Sequence, residues 1–366
     1  MNQQGADIYC RVIDNYGDIG VCWRLAQQLK RQLPTVRLWV DDLRSFSYIN
    51  PQIQDNLDIQ ISQEVEVRHW TAHSSFTDPL GLLIEAFACE LPDVVKQKAN
   101  EKKVVWLNLE YLSAEDWVPS FHLGPSPQPG GQIKYFFFPG FTAETGGLLR
   151  EPDLFTARDA LQSSPAAKAA FFQTLGVPPE LLKSLHERRT VFLFCYPNAP
   201  VPALLQALAD EDALLLVPAS VAQHISWPHN NALATHILPA ISQEDFDRVL
   251  WCSDLNIVRG EDSLVRALWA GQPMLWQPYA QQEDWHLQKL HAWLQHSGYS
   301  KELQQLHFAW SQGEQQASYE AFKTLLSPQK WPQWQSEATD FSQRLRNGPE
   351  LSQAILSFYT HSARTR

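Results

Sequence analysis

Residues 10–29, CRVIDNYGDIGVCWRLAQQL, decide how the rest of the chain is read. The strand pattern of 8–13 breaks at Asp14-Asn15-Tyr16-Gly17-Asp18-Ile19-Gly20 and gives way to Val21, Cys22, Leu25, Ala26 and Leu29 at helix spacing. Gly17 and Gly20 let a backbone turn tightly and approach a ligand closely. The N–H groups at the helix start form a ready anion site. Two carboxylates, Asp14 and Asp18, stand beside it. The stretch reads as the first half of an active site.

Outward from it, strand patterns at 35–40, 65–70, 82–87 and 103–109 alternate with helical ones, which argues for a parallel sheet covered on both faces. The Pro- and Gly-dense stretch 120–131 reads as loop, and the aromatic stretch 135–141 as a strand. A helix over 166–175 stops at Gly176, with Pro178 and Pro179 marking a linker. A second series follows, with strands at 190–196, 213–217, 254–258 and 273–276 and helices at 201–208, 245–252 and 264–270. The tail is helical, including 285–295 and 349–359, the latter with Pro349 at its first helical position. The expected architecture is α/β with two Rossmann-like domains facing each other across a cleft, the GT-B arrangement of nucleotide-sugar glycosyltransferases. Residues 1–178 would form the N-terminal, acceptor-side domain and 179–345 the C-terminal, donor-side domain. A C-terminal helix over 346–366 would pack back on the first. A dehydrogenase with paired Rossmann-like domains is the competing picture, but no G-x-G-x-x-G fingerprint is present.

The formal charge of −11 excludes a general nucleic-acid binder, which needs a basic face. Five scattered cysteines without a C-x-x-C pair read as buried free thiols in a reducing compartment. The N-terminus has no basic-then-apolar pattern, and no run approaches 18 apolar residues, so neither a signal peptide nor a membrane span is expected. A cytoplasmic monomer is the expectation.

Two stretches carry candidate chemistry. Asp14 and Asp18 can accept hydrogen bonds from an incoming nucleophile and steer it; the plainer reading is a helix cap and a satisfied turn. Arg259-Gly260-Glu261-Asp262-Ser263 falls where a strand ends and a helix begins, the ligand-binding edge of an α/β sheet. There the helix N–H groups and the fork of Arg259 suit a diphosphate; a capped helix with a surface ion pair is the alternative. Asp245-Phe246-Asp247 matches the D-x-D of metal-using transferases, but in a helix i and i+2 point to different faces. His286, His291 and His296 are about 140 degrees apart around a helix and cannot share a metal. No metal site is assigned.

Four blocks in order, 10–29, LNLEYLSAEDW at 107–117, KYFFFPGFTAETGGLLRE at 134–151 and IVRGEDSLVRALWAGQPMLW at 257–276, resemble the EarP family of bacterial protein-arginine rhamnosyltransferases. The resemblance covers nearly the whole chain. It implies a metal-independent inverting GT-B enzyme without cofactors, using dTDP-β-L-rhamnose to modify one arginine in the KOW-like N-terminal domain of elongation factor P and so relieving ribosome stalling at proline runs. Carried over, Asp18 matches the candidate general base, Asp14 its partner carboxylate and Glu261 a third essential acid. Arg259, Gly260, Asp262, Ser263 and Tyr279 match diphosphate and donor contacts, and Phe194, Tyr196, Gln243 and Phe246 the donor pocket, with Gly17 and Gly20 leaving room for the sugar. Asn15, Glu110 and Tyr111 are the expected acceptor dock. Two positions depart from the pattern: the family commonly has Leu-Pro-Phe at Leu238-Pro239-Ala240, and His-Ile-Tyr at Gln277-Pro278-Tyr279. The other readings are a GT-B enzyme with a small-molecule acceptor and a non-catalytic binder of translation factors.

Overall fold

The computed structural model describes residues 4–13, 16–71, 73–227 and 233–364. Contacts divide the chain into one unit of Met1–Glu151 with Gly348–Arg366 and a second of Pro152–Asn347, where the sequence reading placed the divisions at 178/179 and 345/346. Residues 152–178 fall in the second unit because their helices are tied into it. From Leu154–Gln162, the Arg158 guanidinium donates to Trp269 O at 2.8 Å and the Gln162 amide to Ala270 O at 2.9 Å.

Among the described residues, the first unit holds an eight-stranded sheet. Its strands are β1 (Ala6–Cys10), β2 (Val36–Val40), β3 (Ile59–Ser62), β4 (Val65–His69), β5 (Leu82–Ala86), β6 (Val105–Leu109), β7 (Pro125–Pro127) and β8 (Ile133–Phe137). The spatial order is β3-β4-β2-β1-β5-β6-β8-β7. The strands from β4 to β8 pair in parallel, and each edge closes with one antiparallel strand. With the edges set aside, the parallel strands run 3-2-1-4-5-6, the dinucleotide-fold order. The 120–131 stretch is not all loop: β7 forms inside it. Its prolines are tolerated because an edge strand needs only one side of its backbone bonded.

Strand alternation puts Ile8 and Cys10 in one apolar cluster with Leu25, Leu38 and Ile84, and Tyr9 in another with Trp39, Leu83 and Trp106 on the opposite face. Burying each large apolar side chain contributes about 1.5–3 kcal/mol. The first cluster is completed by Leu351 and Ile355 of the helix Leu351–Arg364. That helix begins two residues beyond Pro349, which does not occupy its first position. Glu350 caps it instead, its carboxylate accepting from Ser352 N at 3.1 Å and Gln353 N at 2.9 Å.

A buried ion pair lies within this unit. Asp7, on β1, is fully buried. It accepts from Arg37 Nε and Nη2, both at 2.6 Å, Trp39 Nε1 at 2.8 Å and Leu80 N at 2.7 Å.

The second unit is a five-stranded parallel sheet of β9 (Arg189–Leu193), β10 (Ala213–Pro218), β11 (Ala234–Leu238), β12 (Leu255–Arg259) and β13 (Met274–Gln277). Its order is β11-β10-β9-β12-β13, again 3-2-1-4-5. Val191, Leu214, Leu216 and Ile257 are fully buried in it. Among the described residues no helix is long and apolar enough to cross a membrane.

Asp7→Asn removes the counter-charge of a buried guanidinium. It should lower unfolding free energy by about 3–5 kcal/mol in a urea titration. Two histidines, His307 buried and His122 half-buried, also couple stability to pH. His122 Nδ1 accepts from Phe138 N at 3.0 Å and His307 Nδ1 from Trp276 N at 3.3 Å. Burial lowers them from 6.5 to about 4 and about 3 respectively. The unfolded chain therefore takes up these protons first as pH falls below 6.5, so their contribution is intact above that value and is lost toward pH 4. The unfolding midpoint should fall across that interval, and His122→Asn, which keeps an acceptor that does not titrate, should reduce the slope.

Candidate functional site

In a doubly wound sheet, ligands collect at the C-terminal strand ends where strand order reverses. In the first unit that point lies between β1 and β5, and in the second between β9 and β12. Most of the sequence-derived candidates fall at these two places.

In the first unit, β1 leads to the helix Gly17–Lys30, which starts four residues before the Val21 of the sequence reading. Gly17 and Gly20 therefore sit in its first turn, and neither is among the positive-φ glycines. Gly20 N donates to Tyr16 O at 2.9 Å, so this N–H is spent inside the helix and is not an anion donor. Asp18 is 3 % exposed. Its Oδ2 reaches back to accept from Ile13 N at 2.9 Å, which fixes the carboxylate against the chain that leaves β1. Asp14 and Asn15 lie outside the described residues.

Glu110 and Tyr111 follow β6 at the same edge of the sheet. Glu110 N donates to Phe137 O at 2.9 Å, and its carboxylate accepts from the Asn108 amide. Burial raises the Glu110 carboxyl above its ordinary value, opposed by the Asn108 bond and by Lys134. Tyr111 is half-exposed and stacks on Phe87, with ring centroids 4.6 Å apart and planes 18° from parallel. Phe87 holds its ring there from a left-handed backbone, φ 55°.

In the second unit, β12 ends at Arg259, and Gly260 leads into the helix Glu261–Ala270. The Arg259 guanidinium donates to Cys195 O at 3.0 Å. It lies 4.5 Å from the centroid of the Phe194 ring and 4.7 Å from that of Tyr196. Phe246 meets Phe194 edge-on at 5.4 Å, and Tyr279 meets Tyr196 edge-on at 5.5 Å. The structure thus brings Phe194, Tyr196, Phe246, Arg259 and Tyr279 into one continuous group, with Tyr279 the most exposed. Gln243 opens the helix Gln243–Cys252, one turn before Phe246. Asp262 and Ser263 occupy the first turn after Gly260, and Glu261 is paired with Lys289 of the helix Trp285–Ser297.

Sequence reasoning missed two members. Gln277, nearly fully buried on β13, accepts from Tyr196 N at 2.8 Å and donates to Asn198 Oδ1 at 3.1 Å, fixing the loop after β9. Its signal was its register opposite Arg259, which only the sheet reveals. Lys289 is the other, and no local pattern marks it.

The D-x-D residues are committed elsewhere. Asp247 forms a buried pair with Arg266, 2.6 Å at its shorter contact, and Asp245 pairs with Arg248 at 3.1 Å. Among the described residues no group of three His, Cys, Asp or Glu has metal-holding geometry.

Comparison with known proteins places the chain in a family. The pattern of the family described as Elongation-Factor P (EF-P) rhamnosyltransferase EarP matches residues 6–360. A protein-arginine rhamnosyltransferase of Pseudomonas putida strain KT2440 is 45 % identical over 383 residues, covering 97 % of this chain and 98 % of the relative. A solved structure described as the basis for EarP-mediated arginine glycosylation of translation elongation factor EF-P is 32 % identical, with TM-score 0.62, covering 98 % of this chain and 99 % of that one. Arabidopsis thaliana UGT89C1 complexed with UDP, 8 % identical with TM-score 0.53 over 98 % and 99 % of the two chains, shares the fold alone. The fold class is GT-B, with two Rossmann-like units.

Gly260 has φ 69° and ψ −178°, a conformation almost confined to glycine. An added Cβ would meet only the Tyr196 hydroxyl, at 3.5 Å, so conformation and not space forbids it. Gly260→Ala should cost about 1–3 kcal/mol, read as a lower thermal midpoint.

Proposed function

This chain belongs to the EarP family of protein-arginine rhamnosyltransferases, and we propose that it moves L-rhamnose from dTDP-β-L-rhamnose to one arginine of elongation factor P, with inversion at the anomeric carbon. The observation that carries the donor half is the Arg259 guanidinium held over two aromatic rings beside the start of a ten-residue helix. A fixed fork-shaped cation beside a helix N-terminus suits a leaving diphosphate. Phe194, Tyr196, Phe246 and Tyr279 supply apolar walls for the nucleoside and sugar, with Gln243, Asp262 and Ser263 as polar contacts. Ala240 in place of the family's Phe leaves base stacking to those rings.

The acceptor half rests on Asp18. An arginine guanidinium has a pKa above about 12, so a carboxylate cannot deprotonate it in advance. Asp18, with Asp14, holds the guanidinium by paired hydrogen bonds. As the Nη–C1 bond forms and the C1–O bond to the diphosphate breaks, the lost proton passes to Asp18. Attack on the face opposite the departing dTDP inverts the centre. Glu261 positions the donor. Positioning and charge stabilisation supply most of the acceleration. The reaction as written calls for no cofactor and no metal.

A lone arginine side chain offers too little surface for specificity, so the acceptor is read as a folded, KOW-like N-terminal domain. Asn15, Glu110 and Tyr111 form part of its dock, supported by the Tyr111 ring held on Phe87. The setting is the cytoplasm, with a monomeric enzyme relieving stalling at proline runs through its substrate.

Intact-mass measurement of elongation factor P after incubation with dTDP-rhamnose should show one added deoxyhexose; an unchanged mass overturns the assignment. Asp18→Asn should keep dTDP affinity while lowering kcat by about 10²–10⁴-fold. Near-wild-type turnover by that variant would remove Asp18 from the mechanism.

A further inference from the structure

The helix Glu261–Ala270 carries two carboxylates, Glu261 and Asp262, in the turn where the diphosphate is proposed to sit. Acids favour a helix N-terminus, but they repel an anionic ligand bound there. A lone Arg259 would have to offset both acids and the diphosphate. A second cation is present: Lys289, from the second turn of the helix Trp285–Ser297, forms an ion pair with Glu261. Both side chains are largely withdrawn from solvent, at 21 % and 22 % exposure, where a charge pair is less screened than on an open surface.

We propose that Lys289 is a positioning residue for donor binding, neutralising Glu261 so that a nucleoside diphosphate can occupy the helix start. This rests on the donor assignment above. Lys289 also fixes which way the Glu261 carboxylate faces, so the acid is held for the sugar and kept off the phosphates. An ion pair whose only task was to fasten one helix to the other would act on stability and leave ligand affinity alone.

The test is dTDP titration by calorimetry on the full-length enzyme, with a thermal melt of each variant. Wild-type protein binds dTDP, and Arg259→Ala weakens it; if wild type does not bind, the donor assignment itself falls. Lys289→Met should weaken dTDP about tenfold, because it uncovers the Glu261 charge. Lys289→Arg should retain affinity. The double variant Glu261→Gln with Lys289→Met should recover binding to within about threefold of wild type, since the acid that Lys289 neutralises is removed with it. In turnover, Lys289→Met should raise the donor KM more than it lowers kcat. Unchanged dTDP affinity in Lys289→Met, or a double variant as weak as Lys289→Met itself, overturns the proposal while leaving the donor assignment standing. A lowered melting point with unchanged affinity would make the pair a structural fastening and overturns it equally.

Discussion

The first unit depends on one buried carboxylate. Asp7 sits on the central strand, where burying an unpaired charge would cost several kcal/mol, and its four donors come from both sides of that strand. Arg37 and Trp39 lie on β2, and Leu80 precedes β5. The carboxylate therefore pins the strand on one side and the approach to the strand on the other. Those are the neighbours whose order defines the switch point, and Asp18 lies in the helix that follows the same central strand. A polar group in the core costs stability unless all its bonds are made, and here it fixes register where an apolar residue would allow slippage.

Strand polarity does the rest. Because the strands from β4 to β8 and from β9 to β13 run parallel within their sheets, every connection leaving a strand's C-terminal end emerges on one edge of its sheet. Residues distant in sequence, such as Phe194, Arg259 and Gln277, then become neighbours without any loop having to reach far. In the second unit the guanidinium is ordered by two rings and a carbonyl before any ligand arrives. The side-chain entropy of holding an arginine, on the order of 1.5–2 kcal/mol, is then met during folding.

Much of this was legible in the sequence because it is periodic or punctuated. The alternation of apolar strands and helices gave the two doubly wound sheets. The break over 259–263 marked the change from strand to helix, although the helix begins at Glu261 and not at Leu264, and the helix over 201–208 appears within the same bounds. Failures came where local pattern and tertiary partner disagree. Gly17 and Gly20 look like turn residues but are helical, since the helix begins at Gly17. Pro349 looks like a first helical residue, yet Glu350 provides the cap. The prolines of 125–127 look like loop and form an edge strand. Pairs joined across long separations, Glu261 with Lys289 and Gln277 with Tyr196, leave no local trace at all.

The path of the chain has a consequence for how the protein is made. The second unit is inserted between two stretches of the first, and Leu351 and Ile355 lie beyond the insertion yet belong to the core that holds Ile8. During vectorial synthesis the inserted unit emerges in full before the host unit has all its parts. The nascent sheet must wait, with part of one hydrophobic face uncovered, while nearly two hundred residues are translated. The ribosome-bound intermediate most exposed to aggregation is thus one whose inserted unit is complete while its earliest strands still lack the helix that covers them.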